Sequence, residues 1–295
     1  MDWLILLLLV PAIVIPVVLL FGFSGCGFSV TIPPGEVAIP TIVSAKPLDN
    51  QTVILEWTIN STDVVSFEVQ RVKLGEPPPS PTAQSSPFVD TGLIGGTTYF
   101  YRVRAVRLSD GQDAWSDFAT VVTWAPAFQH SLDGQESFDA SNSCIVQRID
   151  PAELLRGGNL VSVTVRAGTT GDLQLTAATI SNKAPSGDDF DSAAQPVSIL
   201  YPGPNLVTAG TNTGLAPVEF ALDGTSPILI AFDVGAPGHA VFTRNVPHTM
   251  YFGDPQGGGP VQQAAVMDRS GFTTQLNELW LVERIDVATK WPPIS

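Results

Sequence analysis

An all-β chain led by a single hydrophobic helix is what this sequence predicts, and three observations predict it. Short apolar runs recur at a spacing of about 8–12 residues with turn residues between them, the rhythm of a β-sandwich. Glycine (26) and proline (25) together make about 17% of the 295 residues, while charged side chains make only 14%. Average chains carry ~12% of the former and ~25% of the latter, so short strands joined by many turns are expected. Finally, residues 3–23 hold no charged side chain at all.

The N-terminal stretch comes first. At a helical rise of ~1.5 Å per residue it would reach ~32 Å, the depth of a hydrocarbon core. A helix or anchor over 1–25, with a linker over 26–35, is the expectation. Pro11 and Pro16 interrupt it, but membrane helices tolerate proline better than soluble ones. Three other readings stay open. A secretory signal would need a basic start, and the first Lys or Arg is Lys46. Phe23-Ser24-Gly25-Cys26 resembles a bacterial lipobox, which would make Cys26 a lipidation site. The helix could also pack against copies of itself and never meet lipid.

Composition narrows the partners. Lys plus Arg number 14 against 28 Asp plus Glu, a formal net charge of −14. Phosphate backbones require a basic footprint, so nucleic acid is excluded as a partner. Anionic headgroups are disfavoured for the same reason. Two distant cysteines, Cys26 and Cys144, make no disulfide framework, and no Cys–His cluster suggests zinc. At ~100–150 residues per domain, the length suggests two domains.

Residues 36–126 form the first expected domain. Strands are predicted at 52–57, 65–72 and 99–106, the last with Arg102 and Arg104 alternating against apolar neighbours. A buried Trp57 and the run Leu93-Ile94-Gly95-Gly96-Thr97-Thr98-Tyr99 carry a resemblance. So do Tyr101-Arg102-Val103-Arg104-Ala105-Val106 and Trp115-Ser116. Together they resemble a fibronectin type III domain over about 90 residues. The resemblance implies a two-sheet sandwich whose corner tyrosine, Tyr99, bonds back to upstream backbone. It also implies a spacer, since every landmark is a packing residue. The Pro-rich run 75–81 reads as a stiff surface loop, with a polyproline ligand as its alternative.

Residues 127–295 form the second. Strands are expected at 160–166, 173–180, 197–200, 218–222, 228–234, 240–244 and 279–287, with a helical hint at 151–155 capped by Asp150. Many strands and few helices predict a larger jelly-roll-like sandwich. Val146-Gln147-Arg148-Ile149-Asp150 echoes Val282-Glu283-Arg284-Ile285-Asp286, which would make those two strands neighbours. Gln147-Arg148-Ile149-Asp150, Ser186-Gly187-Asp188-Asp189-Phe190-Asp191, Leu229-Ile230-Ala231-Phe232-Asp233 and Arg269-Ser270-Gly271-Phe272 resemble sandwich modules of bacteriophage tail-associated proteins. Ala221-Leu222-Asp223-Gly224 and Glu283-Arg284-Ile285-Asp286 belong to the same set. That resemblance implies a virion location, assembly with copies of itself as a trimer, and contact with other tail proteins.

The chemistry is sparse. His130, His239 and His248 are the only histidines, no nucleophile elbow occurs, and His239 and His248 read as loop residues. No catalytic residue and no cofactor is assigned. Asp188, Asp189 and Asp191 have a spacing that suits calcium, although a solvated acidic turn has the same composition. Tyr201, Tyr251, Phe252 and Trp280 are the aromatics that would stack on a glycan, with core packing as the alternative for each. The expected function is therefore a non-enzymatic display protein, a phage tail-tip or tail-fibre component contacting a host glycan or membrane. A bacterial envelope lipoprotein or membrane-anchored carbohydrate-binding protein is the alternative.

Overall fold

Chain alternation sets the architecture. A computed structural model describes residues 39–61, 64–107, 114–254, 260–272 and 274–293. The helix expected over 1–25, the linker 26–35 and Cys26 lie outside these residues. Among the described residues the structure is strand, joined by turns, with one 3-10 turn at Pro151–Glu153 where the sequence hinted at a helix. Asp150 does stand at its N-cap, and the Glu153 side chain reaches back to the Asp150 N–H. No described helix is long and apolar enough to cross a membrane.

The first seven strands are β1 (Thr41–Pro47), β2 (Val53–Thr58), β3 (Val64–Lys73), β4 (Thr82–Gln84), β5 (Phe88–Asp90), β6 (Thr98–Arg107) and β7 (Ala119–Gln129). β1, β2 and β5 form one sheet, and β4, β3, β6 and β7 run consecutively in another. All pairings are antiparallel. Period-two burial is clear in β6, where Tyr99, Tyr101, Val103 and Ala105 turn inward. Tyr99, Tyr101 and Val103 meet Val53, Leu55 and Trp57 of β2 in one core. Each such side chain contributes about 1.5–3 kcal/mol by leaving water. Arg102 and Arg104 face outward but are not free. Arg102 lies over the Trp115 and Phe118 rings at 4.3 and 5.0 Å, and Arg104 pairs with Glu68.

The Tyr99 hydroxyl accepts the Ile94 N–H at 2.9 Å, closing the turn before β6. Gly96 in that turn has φ +67. A Cβ there would lie 2.9 Å from the Ala125 Cβ and would also press on the Arg156 guanidinium of the second sandwich. Glycine is therefore required twice over, by conformation and by space.

β7 does not end where the second module was expected to begin. It pairs with β6 through residues 119–122 and continues past Pro126 to pair with the last strand, β20 (Val282–Thr289). Proline has no N–H for a ladder, and a register shift beside the Asp286–Pro126 pair accommodates it. One eight-stranded sheet thus runs through both sandwiches in the order β14-β10-β20-β7-β6-β3-β4, with β15 also on β10. Here β10 is Gly158–Arg166, β14 is Asn212–Gly214 and β15 is Val218–Leu222.

A nine-stranded sheet faces the second part of it. Its path is β12-β11-β16-β9-β17-β18, with β13 on β11 and both β8 and β19 on β16. These are β8 (Glu136–Asp139), β9 (Cys144–Ile149), β11 (Leu173–Asn182), β12 (Val197–Ser198) and β13 (Asn205–Val207). The remaining four are β16 (Ile228–Arg244), β17 (Thr249–Gly253), β18 (Thr274–Leu276) and β19 (Glu278–Trp280). Between the two sheets lies the larger core, with Ile145, Ile149, Val163, Leu175, Ile230, Phe232 and Ile285 fully buried.

Three sequence expectations change. The strands expected at 228–234 and 240–244 are one strand, whose first half pairs with β9 and β11 and whose second half pairs with β8 and β19. Conversely, 279–287 is two strands. Leu281 takes φ +61 and is fully buried, and there the chain leaves the nine-stranded sheet for the eight-stranded one. Finally, the echoing segments are not neighbours: β9 and β20 lie in different sheets. What they share is local. Arg148 pairs with Asp150 at 2.8 Å and Arg284 with Asp286 at 2.6 Å, two residues on along the same strand face.

Candidate functional site: an aromatic cleft on the nine-stranded sheet

Register decides which side chains meet. In β16, Ala240, Phe242 and Arg244 share one face by alternation. Their antiparallel partners share it too: Phe138 opposite Ala240, Glu136 and Trp280 opposite Phe242, and Glu278 opposite Arg244. On the neighbouring pair, Met250 sits opposite Leu276 and Phe252 opposite Thr274. All of these except Ala240 and Glu136 line a cleft of about 210 Å³.

Aromatic rings make its floor. Trp280 stacks on Phe242 with centroids 4.6 Å apart and planes 15° apart. Phe138 meets Phe252 and Trp280 edge-on at 6.0 and 5.7 Å. Trp280 is only 4% exposed, so its ring supports the floor from within, whereas Phe138 is 47% exposed at the mouth. The polar groups form one connected set. Trp280 Nε1 donates to Glu278 at 2.7 Å. Arg244 reaches Glu278 at 3.5 Å and Glu136 at 3.3 Å, and its guanidinium lies 5.1 Å from the Phe242 centroid. Glu278 is inside and committed, while Arg244 on the rim and Glu136, its partner just beyond the lining, are more than half exposed.

The four aromatics expected to bind a glycan do not converge. Phe252 and Trp280 belong to the cleft. Tyr251, one residue away, points to the opposite face and is 4% exposed. It packs with Phe190, Phe272, Cys144 and Ala264 in a separate apolar cluster. Two loops cover that face. Arg269 fastens one of them, donating to the carbonyls of Gln263, Ala264 and Phe190, while Asp233 accepts the N–H groups of Gln263 and Ala264. Burial raises the Tyr251 pKa above its ordinary value, with the Asp189 charge adding to it. Tyr251 is thus packed inside this cluster rather than in the cleft. Tyr201 is 54% exposed and lies apart from the cleft lining.

The acidic run also reads differently in three dimensions. Asp189 faces Arg148 at 3.3 Å and Lys183 at 3.1 Å. Asp191 accepts the N–H groups of Asp188 and Arg269. The Asp189 and Asp191 oxygens are thus engaged by the protein's own donors. Among the described residues no group of three His, Cys, Asp or Glu is placed to hold a metal ion.

The histidines take structural positions. His248 is buried and meets Glu153 at 2.8 Å. His239 stands within β16, not in a loop, beside Thr170 at 3.2 Å. Burial, and secondarily His248, holds His130 below the ordinary imidazole range. Burial beside Asp233 pushes the Cys144 thiol well up, away from the thiolate a nucleophile requires.

Sequence reading missed Phe138, Glu136, Arg244 and Glu278. Phe138 is a lone aromatic in a polar four-residue strand, and Arg244 and Glu278 become partners only through β16–β19 pairing. The available signal was the alternation Phe242-Thr243-Arg244, which places an aromatic and a cation on one face.

No protein-family model and no curated protein matches this chain. Among solved structures, a similar chain is that of Streptomyces avermitilis alpha-L-rhamnosidase complexed with L-rhamnose, at 16% identity and a TM-score of 0.22. The match covers 82% of this chain and 27% of that one. This chain therefore spans about a quarter of that protein's length, and so small a structural overlap carries no weight for fold or activity.

Proposed function

We propose that this chain is a non-enzymatic display protein, a bacteriophage tail-tip or tail-fibre component whose C-terminal sandwich contacts the host surface. One observation carries the reading: β7 is shared by both sandwiches, so no flexible linker separates them. A contact surface on the second sandwich is thereby held in fixed register with the first. The cleft lies on the nine-stranded sheet, which contains no strand of the first sandwich. In this reading the first sandwich is a fibronectin type III spacer. The β1-β2-β5 and β4-β3-β6-β7 sheets, the buried Trp57 and the Tyr99–Ile94 bond support that assignment. The apolar N-terminal residues anchor the chain in the particle, packed against two further copies.

The test is direct. Purified particles from the source virus, digested and analysed by mass spectrometry, contain this chain at a stoichiometry that is a multiple of three. Its absence from particles, or its recovery from a bacterial envelope with an acylated Cys26 as the first residue, overturns the reading. Turnover of an envelope polysaccharide by the purified chain overturns its non-enzymatic part.

A further inference from the structure

We infer that the cleft between β8, β16, β17 and β19 binds one neutral sugar ring through a vicinal diol. This deepens the display reading and rests on it only for where the sugar would be met.

Size comes first. At about 210 Å³ the cleft is below the ~300–1,000 Å³ of pockets that take drug-sized ligands. A single six-membered ring is the scale it suits, entering beside Phe138, the one floor ring exposed at the mouth. An apolar sugar face set against that ring leaves the hydroxyls turned toward the rim.

Rim chemistry then selects the ligand. Arg244 only donates and Glu136 only accepts, and the two stand 3.3 Å apart. A pair of adjacent hydroxyls, each able to donate and accept, satisfies both at once. A hydrocarbon would offer neither of them a hydrogen bond. Glu278 is not a competitor for the ligand, because Trp280 and Arg244 already engage it.

Charge excludes the acidic sugars. Around the cleft two carboxylates, Glu136 and Glu278, outnumber the one guanidinium, and the chain as a whole carries −14. A uronic acid or a sulfated sugar would meet net repulsion, and Arg244 has no spare charge to offset it. The bound unit is therefore neutral.

Full-length protein labelled with ¹⁵N would be titrated with methyl glucoside, galactoside, mannoside and N-acetylglucosaminide, and with methyl glucuronide. At least one neutral glycoside shifts the Trp280 indole N–H with a millimolar dissociation constant, the range expected for so small a ligand. The glucuronide does not. Phe138→Ala weakens binding about tenfold or more, and Arg244→Gln does the same without removing an apolar group. Both keep the wild-type thermal midpoint within a few degrees; should Phe138→Ala unfold, Arg244→Gln decides alone. If no neutral glycoside moves the resonance, if the glucuronide binds equally, or if Arg244→Gln binds as the wild type does, the inference fails. Protein found in particles but blind to every glycoside would end this inference and spare the display reading; the reverse result would do the opposite.

Discussion

The two sandwiches solve the same problem with unequal means. The second has a large core between two sheets, and the outer face of its nine-stranded sheet is sealed by loops that Arg269 ties down. The first has one small cluster and borrows to complete it. Trp291, from the far end of the chain, packs against that cluster, and its backbone exchanges two hydrogen bonds with Ala45 of β1 at 2.9 and 2.7 Å. The same sheet that forms the first sandwich's second wall continues into the second sandwich through β7. The first module is thus a repeat-like sandwich in pattern but a dependent in energetics. A domain of its size buries a modest fraction of its surface and gains most from added neighbours.

The strongest attempt to break this comparison strikes the larger core. Phe232→Ala removes a fully buried ring and should cost about 3–5 kcal/mol. Because the sandwiches share a sheet, calorimetry should show one transition shifted downward; two transitions, with the first sandwich unmoved, would mean that it stands alone. Next in size is Trp291→Ala. The residue is partly buried, so the cost is about 2 kcal/mol, below the full core value. Hydrogen exchange should accelerate at β1 and β2 while β11 and β16 stay protected. Uniform exchange in the variant would refute the clamp.

A smaller effect tests the first core from within. The Tyr101 hydroxyl donates to Asp90 at 2.8 Å, and Asp90 also holds Arg71. Burial first, and the Asp90 charge second, push the Tyr101 pKa far up, so the phenol stays neutral. Tyr101→Phe should cost about 1–2 kcal/mol in urea denaturation, since Asp90 loses a buried partner but keeps a cation. Cost near zero would mean that the bond is not part of the core's stability.

The smallest effect belongs to acid. His130 titrates below its ordinary value of 6.5 in the folded chain. The unfolded state then takes up its proton first, so this contribution to stability is full above that value and is lost as pH falls through the lower folded one. His130→Gln should therefore lose less thermal midpoint than the wild type between about pH 7 and about pH 5. An identical decline in both proteins would remove His130 as a cause.

Much of this was legible before any coordinates. Strands at 52–57, 65–72, 99–106, 160–166, 173–180 and 218–222 were readable because each is a short apolar-rich run bounded by turn residues. Where a strand changes partners, reading failed. Residues 228–244 hold one proline and two glycines by composition but one continuous strand in space. Residues 279–287 hold one apolar alternation but two strands, because Leu281 turns the chain from one sheet to the other. Pro126 looks like a boundary locally, yet it sits inside β7.

The site divides along the same line. Tyr251 and Phe252 were identifiable as aromatics at a loop edge, and Trp280 as one inside an apolar strand. Which of them faces a cleft and which a buried seam depends on what covers each side of the sheet. The composition and period of the sequence determined that this would be an all-β chain, acidic and turn-rich, because alternation and turn chemistry act over a few residues. Only the tertiary structure decided that two sandwiches would share a strand, that Asp189 would meet Arg148 and Lys183, and that Phe138 would stand beside Trp280. Those pairings join residues as far apart as Val122 and Thr289, and no local preference encodes which distant partner a strand edge will find.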